Sequence, residues 1–318
     1  MNWISLIKHK MTSHTAQKNI LSGIILAILA VVIWSGNFVI ARGIHNEIPP
    51  ISLAFYRWTT ASLLILPISF NYLKKDFSLL LKSWKLVLIA ALTGITMFNT
   101  FIYLGSHYTS AINLALIGNT VSPVVSVVLA AIFLKEKLSR AKTIGMILCV
   151  CGILYLLIRG DIRNLFSLRF SAGDGWMVLA ALAFSVYSIL ARKKNEAISF
   201  LGFLAATFIA GTLMLLPFYL WESQQQTFAW NSKLLYTMLY LGLGTSIISF
   251  FCWNYSIRQI GAGRTALFGN LIPILSSIEA VFFLHEPFTI THLVSMILVF
   301  AGLLLANWKP ANRQPVAD

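Results

Sequence analysis

The chain is a succession of long apolar runs, and the polar residues between them come in short, mostly basic clusters. A helix rises about 1.5 Å per residue and a bilayer core is about 30 Å thick, so one crossing takes roughly 20 apolar residues. Ten runs approach or exceed that length, at residues 20–41, 51–71, 84–106, 112–133, 140–158, 172–192, 199–220, 232–257, 262–284 and 289–307. The connections at 107–111 and 134–139 are short enough to force antiparallel neighbours. Runs this long exclude a β-barrel, whose crossing segments hold about ten residues. The pattern predicts an all-α membrane protein with ten transmembrane helices.

The stretch from Ile20 to Ile40 ends without a small-x-small cleavage pattern, which marks an uncleaved helix rather than a signal peptide. Ahead of it, Trp3, Ile4 and Ile7 with Lys8 and Lys10 suit either an interfacial segment or a frayed basic tail. Composition agrees: 58% of the 318 residues are apolar and 11% are charged, against about 25% charged in a soluble chain. The formal net charge of +14 would suggest nucleic acid on a soluble face; here it marks membrane surfaces instead. With the N-terminus inside, eighteen Lys and Arg fall in cytoplasmic segments, and five (Arg42, Arg159, Arg163, Arg169 and Lys233) fall outside. Short basic loops stay cytoplasmic, so both termini are expected there. Cys149, Cys151 and Cys252 lie inside apolar runs and read as packed thiols; the first two, at i and i+2, face apart and make no metal site or disulfide.

Sliding the chain along itself gives a match at an offset of 150 residues. Leu29-Ala30 falls on Leu179-Ala180, Ser35 on Ser185, Ala41-Arg42 on Ala191-Arg192 and Leu66-Pro67 on Leu216-Pro217. Gly94 falls on Gly244, Pro123 on Pro273, Phe133-Leu134-x-Glu136 on Phe283-Leu284-x-Glu286, and Gly152 on Gly302. Each copy holds five crossings, an odd number, so the second enters the membrane with opposite sense. The expected organisation is a cytoplasmic segment 1–19, a first repeat 20–158, an outer connection 159–171, a second repeat 172–307 and a tail 308–318. Two similar halves of opposite sense exchange conformations to open alternately on each side, which points to a carrier.

Ten spans in two five-helix repeats resemble the drug/metabolite transporter superfamily, EamA type. So do Trp34-Ser-Gly-Asn37-Phe in the first helix, Arg57 early in the second, and a proline in the fourth and ninth. The ending Phe-Leu-x-Glu followed by Gly152 or Gly302 completes the likeness. The resemblance covers residues 20–307 and implies cytoplasmic termini and a cavity lined by helices one, three, four, six, eight and nine. It also implies movement of small metabolites, often amino-acid export, by a monomer; with no ATP-binding module in the sequence the expected mode is secondary transport across a cytoplasmic (inner) membrane, with no cofactor and, the basic surplus being an orientation signal, no nucleic-acid partner.

Pro123 and Pro273 each remove a backbone donor and push away the carbonyl four residues earlier, on Asn119 and Gly269. Interrupted helices at matching positions of the two halves point to a midplane site, with Asn119 and Asn270 beside it; a structural kink is the alternative. Groups shared at the offset are expected to be scaffold. Glu136 and Glu286 are shared, and each precedes an N-cap, Ser139 or Thr289, so both read as structural acids at the N-termini of helices five and ten. Arg57 and Glu279 are not shared: they fall on Thr207 and Leu129. Both lie roughly 7–9 Å deep from the outer side, at a depth that permits pairing. They are candidates to gate or contact a zwitterionic substrate, with Glu279 as a coupling proton carrier; a permanent ion pair or a snorkelling Arg is the alternative. Trp34, Asn37, Phe98, Asn99, Tyr103, Asn113, Tyr187 and Trp253 complete the candidate substrate wall, with the aromatic belt as the alternative for Tyr103 and Trp253. His107 reads as interfacial.

Three classes compete. A membrane enzyme lacks support: there is no His-Glu-x-x-His pair, phosphate loop, nucleophile elbow or catalytic carboxylate pair. A channel is weighed against by the in-plane pseudo-symmetry. The carrier reading stands first, with exchange or import of a nucleotide-like, cationic or drug-like solute as the alternative to amino-acid export, and with membrane lipid and a small-molecule substrate as partners.

Overall fold

The computed structural model describes residues 3–133, 135, 139–161, 163 and 171–307, with side chains from residue 19 onward apart from 130, 262, 263, 266 and 307. Every regular element among them is helical. In a bilayer, each backbone N–H and C=O must be satisfied within the segment, which leaves the helix as the solution for runs this apolar. The helices are α1 (Trp3–Gly43), α2 (Pro50–Lys82), α3 (Trp84–Ser106), α4 (Ala111–Phe133) and α5 (Arg140–Leu157). The second half holds α6 (Ala172–Lys193), α7 (Phe200–Gln225), α8 (Ser232–Ile260), α9 in two pieces (Ala262–Gly269 and Ile272–Leu284) and α10 (Ile290–Asn307).

Several boundaries differ from the hydropathy pattern. The first helix is continuous from Trp3, and α2 and α7 run about two to three turns and one turn past their apolar stretches. The extensions carry buried acids, Asp76 on α2 and Glu222 on α7. Most of the 159–171 connection lies outside the described residues.

The two halves pack as an inverted pair. α1 packs on α8 and α9, and α6 on α3 and α4; α2 meets α7, α5 meets α10, and α4 meets α9. Exchanging the first five helices for the last five leaves this set of contacts unchanged. Two contacts join a residue to its own counterpart 150 positions on: the hydroxyls of Ser62 and Thr212 lie 3.0 Å apart, and the Cys149 thiol donates to the Val299 carbonyl at 3.6 Å. A residue touches its symmetry mate only near the axis, so these pairs mark the pseudo-twofold. Near the second pair, α5 and α10 come to backbone contact through glycine: a Cβ on Gly302 would stand 2.6 Å from the Gly145 carbonyl oxygen.

Acids close the helix ends across the halves. Pro49 at the N-cap of α2 has no side chain to offer, and Glu222 of α7 takes its place, accepting from the N–H of Ile51 (3.1 Å) and Ser52 (2.6 Å) and the Ser52 hydroxyl (2.8 Å). In mirror fashion Asp76 of α2 accepts from the Ser199 N–H (2.8 Å) and hydroxyl (2.5 Å) at the start of α7. Glu286 accepts from Ala111 and Ile112 N–H at 2.8 and 3.2 Å. The N-terminus it satisfies is therefore that of α4, not of α10 as its place before Thr289 led us to expect; antiparallel packing of α9 on α4 brings it there. Glu136 lies outside the described residues. Within their own halves, Ser139 caps α5 and Ser171 forms a capping box with Asp174 on α6.

The two prolines do not act alike. α4 runs unbroken through Pro123, and the Asn119 amide donates to the Ala115 carbonyl at 3.0 Å rather than patching the freed group. α9 is broken: Asn270 and Leu271 turn back on the carbonyls of Leu267 and Phe268, and Pro273 falls in the first turn of the new helix, where no backbone donor is needed. Burial also changes along α4. Ala111, Ile112, Leu114, Ala115, Leu116 and Ile117 are fully buried, which encloses that end on every face, whereas Pro123 is exposed and residues 124–127 are half-buried.

Candidate transport site

Arg57 is the centre of the site. It is 5% exposed and rises from the second turn of α2 into the space between α1, α3 and α8. Three oxygens crowd its Nη1, Asn37 Oδ1, Asn99 Oδ1 and Tyr103 Oη, each at 2.7 Å, although that nitrogen has only two hydrogens to give. Nε donates to Ser246 Oγ at 3.2 Å, and the guanidinium carbon stands 4.9 Å from the Trp58 ring centre. All these partners are neutral. Among the described residues no carboxylate lies within ion-pairing distance and nothing accepts from Nη2. A guanidinium held in this way has no counter-charge among the described residues, a costly arrangement within a membrane span.

Glu279, on the second piece of α9, does not supply the missing charge. Its Oε1 accepts from the Ser35 hydroxyl at 2.6 Å, and its buried Oε2 has no partner. Asn37 faces Arg57 and Ser35 faces Glu279, and positions two apart on a helix point about 200° apart. The body of α1 therefore stands between the two charges. The pairing that their similar depth permitted is absent, because depth fixes only one coordinate. Ser35, which we expected to be scaffold because the repeat shares it with Ser185, contacts an acid present in only one half.

Aromatic residues gather in two groups at related positions. On α1 and α8, Trp34 packs edge-on against Phe250 (5.5 Å) and tilted on Trp253 (5.2 Å). On α3 and α6, Phe98 lies 4.6 Å from Phe184, which lies 5.7 Å from Tyr187. Trp34 and Phe184 are counterparts at the 150 offset. Tyr103 is fully buried, so it is no belt residue, and Trp253 covers Gly269 just before the break in α9.

Both groups sit beside a feature that hydropathy does not reveal. Leu92–Met97 of α3 and Tyr240–Ile248 of α8 are wound as π-helix, at matching places in the two repeats. A π-turn misaligns backbone groups and is enriched at functional sites. Here hydroxyls and the indole occupy the loosened carbonyls: Ser246 donates to Leu241, Ser249 to Gly244, and Trp34 Nε1–H to Thr245 at 3.0 Å. Gly94 sits inside one π segment because a Cβ there would overlap the Tyr187 ring. Sequence reasoning missed Ser246 and Tyr240, whose hydroxyl donates to the Ile33 carbonyl at 2.8 Å; the paired Gly94 and Gly244 were the available signal.

The other candidates lie elsewhere. Asn113 donates to Thr109, which donates to Asp174, in a cluster at the enclosed end of α4. Asn270 is 9% exposed with its amide nitrogen unpartnered, and it borders a void of about 10 Å³ among Leu116, Pro273 and Met296. His107 meets the His45 ring at 5.5 Å near Arg42. Among the described residues no cluster of metal-ligating side chains forms, and of the three cysteines Cys149 and Cys252 are buried while Cys151 faces outward.

Two inverted five-helix repeats around a buried cation that has no counter-ion among the described residues define a multi-pass membrane protein. The EamA-like transporter family matches the chain twice, over residues 21–158 and 171–308, and the chain belongs to that family. It is similar to an uncharacterized transporter of Archaeoglobus fulgidus, 26% identical over 90% of this chain and 97% of the other. It is also similar to the uncharacterized transporter YyaM of Bacillus subtilis, 27% identical over 89% of this chain and 93% of the other. A solved crystal structure shares its fold with a TM-score of 0.62 at 18% identity, covering 90% of this chain and 96% of that one.

Proposed function

We propose that this transporter is a secondary carrier that exports amino acids or related carboxylate-bearing metabolites by alternating access. The uncompensated guanidinium of Arg57 carries the reading. Among the described residues it has no counter-ion and no acceptor at Nη2, and a substrate carboxylate supplies what it needs. The neutral oxygens around Nη1 hold the fork in place, and the aromatic groups suit the apolar part of a small amphipathic ligand. A lone positive charge favours an anionic group on the solute, so a nucleotide-like substrate fits better than a cationic one.

Glu279 takes a separate part, on the other face of α1, as a proton carrier or gate whose free Oε2 exchanges protons while Ser35 holds Oε1. Enclosure of α4 at its Ala111 end and looser packing beyond Val121 support a conformation shut on one side. The distribution of Lys and Arg makes the shut side external, with both termini in the cytoplasm and the repeats bounded at 20–158 and 172–307. The carrier works as a monomer in the cytoplasmic membrane.

Counterflow in proteoliposomes tests this. Vesicles loaded with one amino acid should accelerate entry of labelled substrate, and Arg57→Gln should weaken carboxylate-bearing substrates by about 10–100-fold while sparing their amides, since a charge-assisted bond contributes about 1.5–3 kcal/mol. Equal losses for acid and amide would refute the role of Arg57. Unchanged pH dependence in Glu279→Gln would remove Glu279 from coupling.

A further inference from the structure

Between the α2–α3 turn and the α6–α7 connection the surface folds into an open cleft of about 740 Å³, lined by Lys82, Trp84, Lys85, Leu86, Lys193 and Asn195. None of the described lining residues is acidic, and none of the three lysines forms an ion pair with a described carboxylate. Lys85 Nζ lies 5.6 Å from the Trp84 ring centre and Lys193 Nζ 5.5 Å from that of Phe133. Aromatic faces of this kind hold ammonium groups in place without neutralising them. The cleft stands where α2 and α6 end and α3 begins, at one end of these membrane-spanning helices. Below it α3 presents Leu88, Ile89 and Leu92, all exposed, a strip along the span suited to hydrocarbon.

We propose that this cleft binds the phosphate headgroup of an anionic phospholipid, whose acyl chains lie along the exposed face of α3. Basic pockets between helices at a membrane surface recognise such headgroups, and an exposed tryptophan at the same level suits the interface. The apolar strip distinguishes a lipid from a soluble phosphate, which would have no use for it. Lys82 and Lys85 belong to the first repeat and Lys193 to the second, so a bound headgroup ties the halves together and raises resistance to heat. The proposal rests on the chain lying in a membrane and is independent of the transported substrate.

The test uses the full-length protein in an uncharged detergent, heated with phosphatidylglycerol, phosphatidylcholine or inorganic phosphate at equal ionic strength. Phosphatidylglycerol should raise the unfolding midpoint. The Lys82→Gln/Lys85→Gln/Lys193→Gln variant should need at least tenfold more of it for half the shift, whereas Lys74→Gln/Lys75→Gln, exposed on the same helix outside the cleft, should respond like wild type. Native mass spectrometry gives a second readout: a retained phosphatidylglycerol on wild type that Lys193→Gln loses. An equal shift from phosphatidylcholine, or an equal loss in the Lys74/Lys75 control, would overturn the site. Protection by inorganic phosphate as strong as that by phosphatidylglycerol would overturn the lipid and leave a soluble-anion cleft.

Discussion

Replacing Glu222 by leucine tests the idea that each half of the molecule completes helix ends in the other. Glu222 is 4% exposed and Ser52 1%. The carboxylate accepts two backbone N–H groups and one hydroxyl, at a helix start whose N-cap is proline and has no acceptor of its own. Leucine fills similar space but leaves the buried Ser52 N–H and the part-buried Ile51 N–H without a partner, at about 1–3 kcal/mol each. It also removes a negative charge from the positive end of α2, a further contribution of about 0.3–1 kcal/mol. Relief from burying the carboxylate offsets part of this, so a net loss of about 3 kcal/mol is expected. That corresponds to several degrees in the unfolding midpoint of detergent-purified protein. Glu222→Gln keeps one acceptor oxygen and should fall between, while Ser52→Ala, which loses only the hydroxyl, should cost about 1 kcal/mol. A Glu222→Leu midpoint within a degree of wild type would refute the reasoning, because it would mean that the α2 terminus is satisfied without α7.

Gly145→Leu should be strongly destabilising, since a Cβ at 145 already stands 2.6 Å from the Ala306 backbone nitrogen, whereas Gly175→Ala, with nothing within 4 Å, should leave the midpoint unchanged. With the native cysteines replaced and a protease site placed in the 159–171 connection, Ser62→Cys/Thr212→Cys should oxidise to a bond that keeps the cleaved halves together until reductant is added. Separation without reductant would refute the axis contact. Burial, and then the nearby His45 and Arg42, hold the His107 pKa below the usual imidazole value. The unfolded chain therefore binds this proton first as pH falls, and stability should decline below about pH 6.5. A His107→Gln melting profile as steep as wild type would show that another group carries the decline.

Much of the architecture is legible in the residue order. The number of helices, their antiparallel sense and the inverted repeat all follow from run length, loop length and the 150-residue offset, because a bilayer imposes one length on every crossing. The same offset drew attention to Arg57 and Glu279 as charges without counterparts. It could not say how they relate. Sequence gives depth along a span but not rotation about it, and the angle between Asn37 and Ser35 on α1 keeps the two charges apart. The π segments and the unequal effects of Pro123 and Pro273 were hidden for a similar reason: a helix keeps or breaks its hydrogen bonds according to what packs beside it.

By itself, then, the sequence determined a ten-helix, two-repeat membrane protein and one unmatched buried cation, since hydropathy and periodicity are local properties. Only the tertiary structure decided what that cation faces and which helix each acid caps. Glu286 closes α4 rather than its neighbour α10, and Arg57 meets four neutral oxygens from three other helices. Those partners lie 20 to 189 residues from Arg57 in the chain, and only packing brings them together.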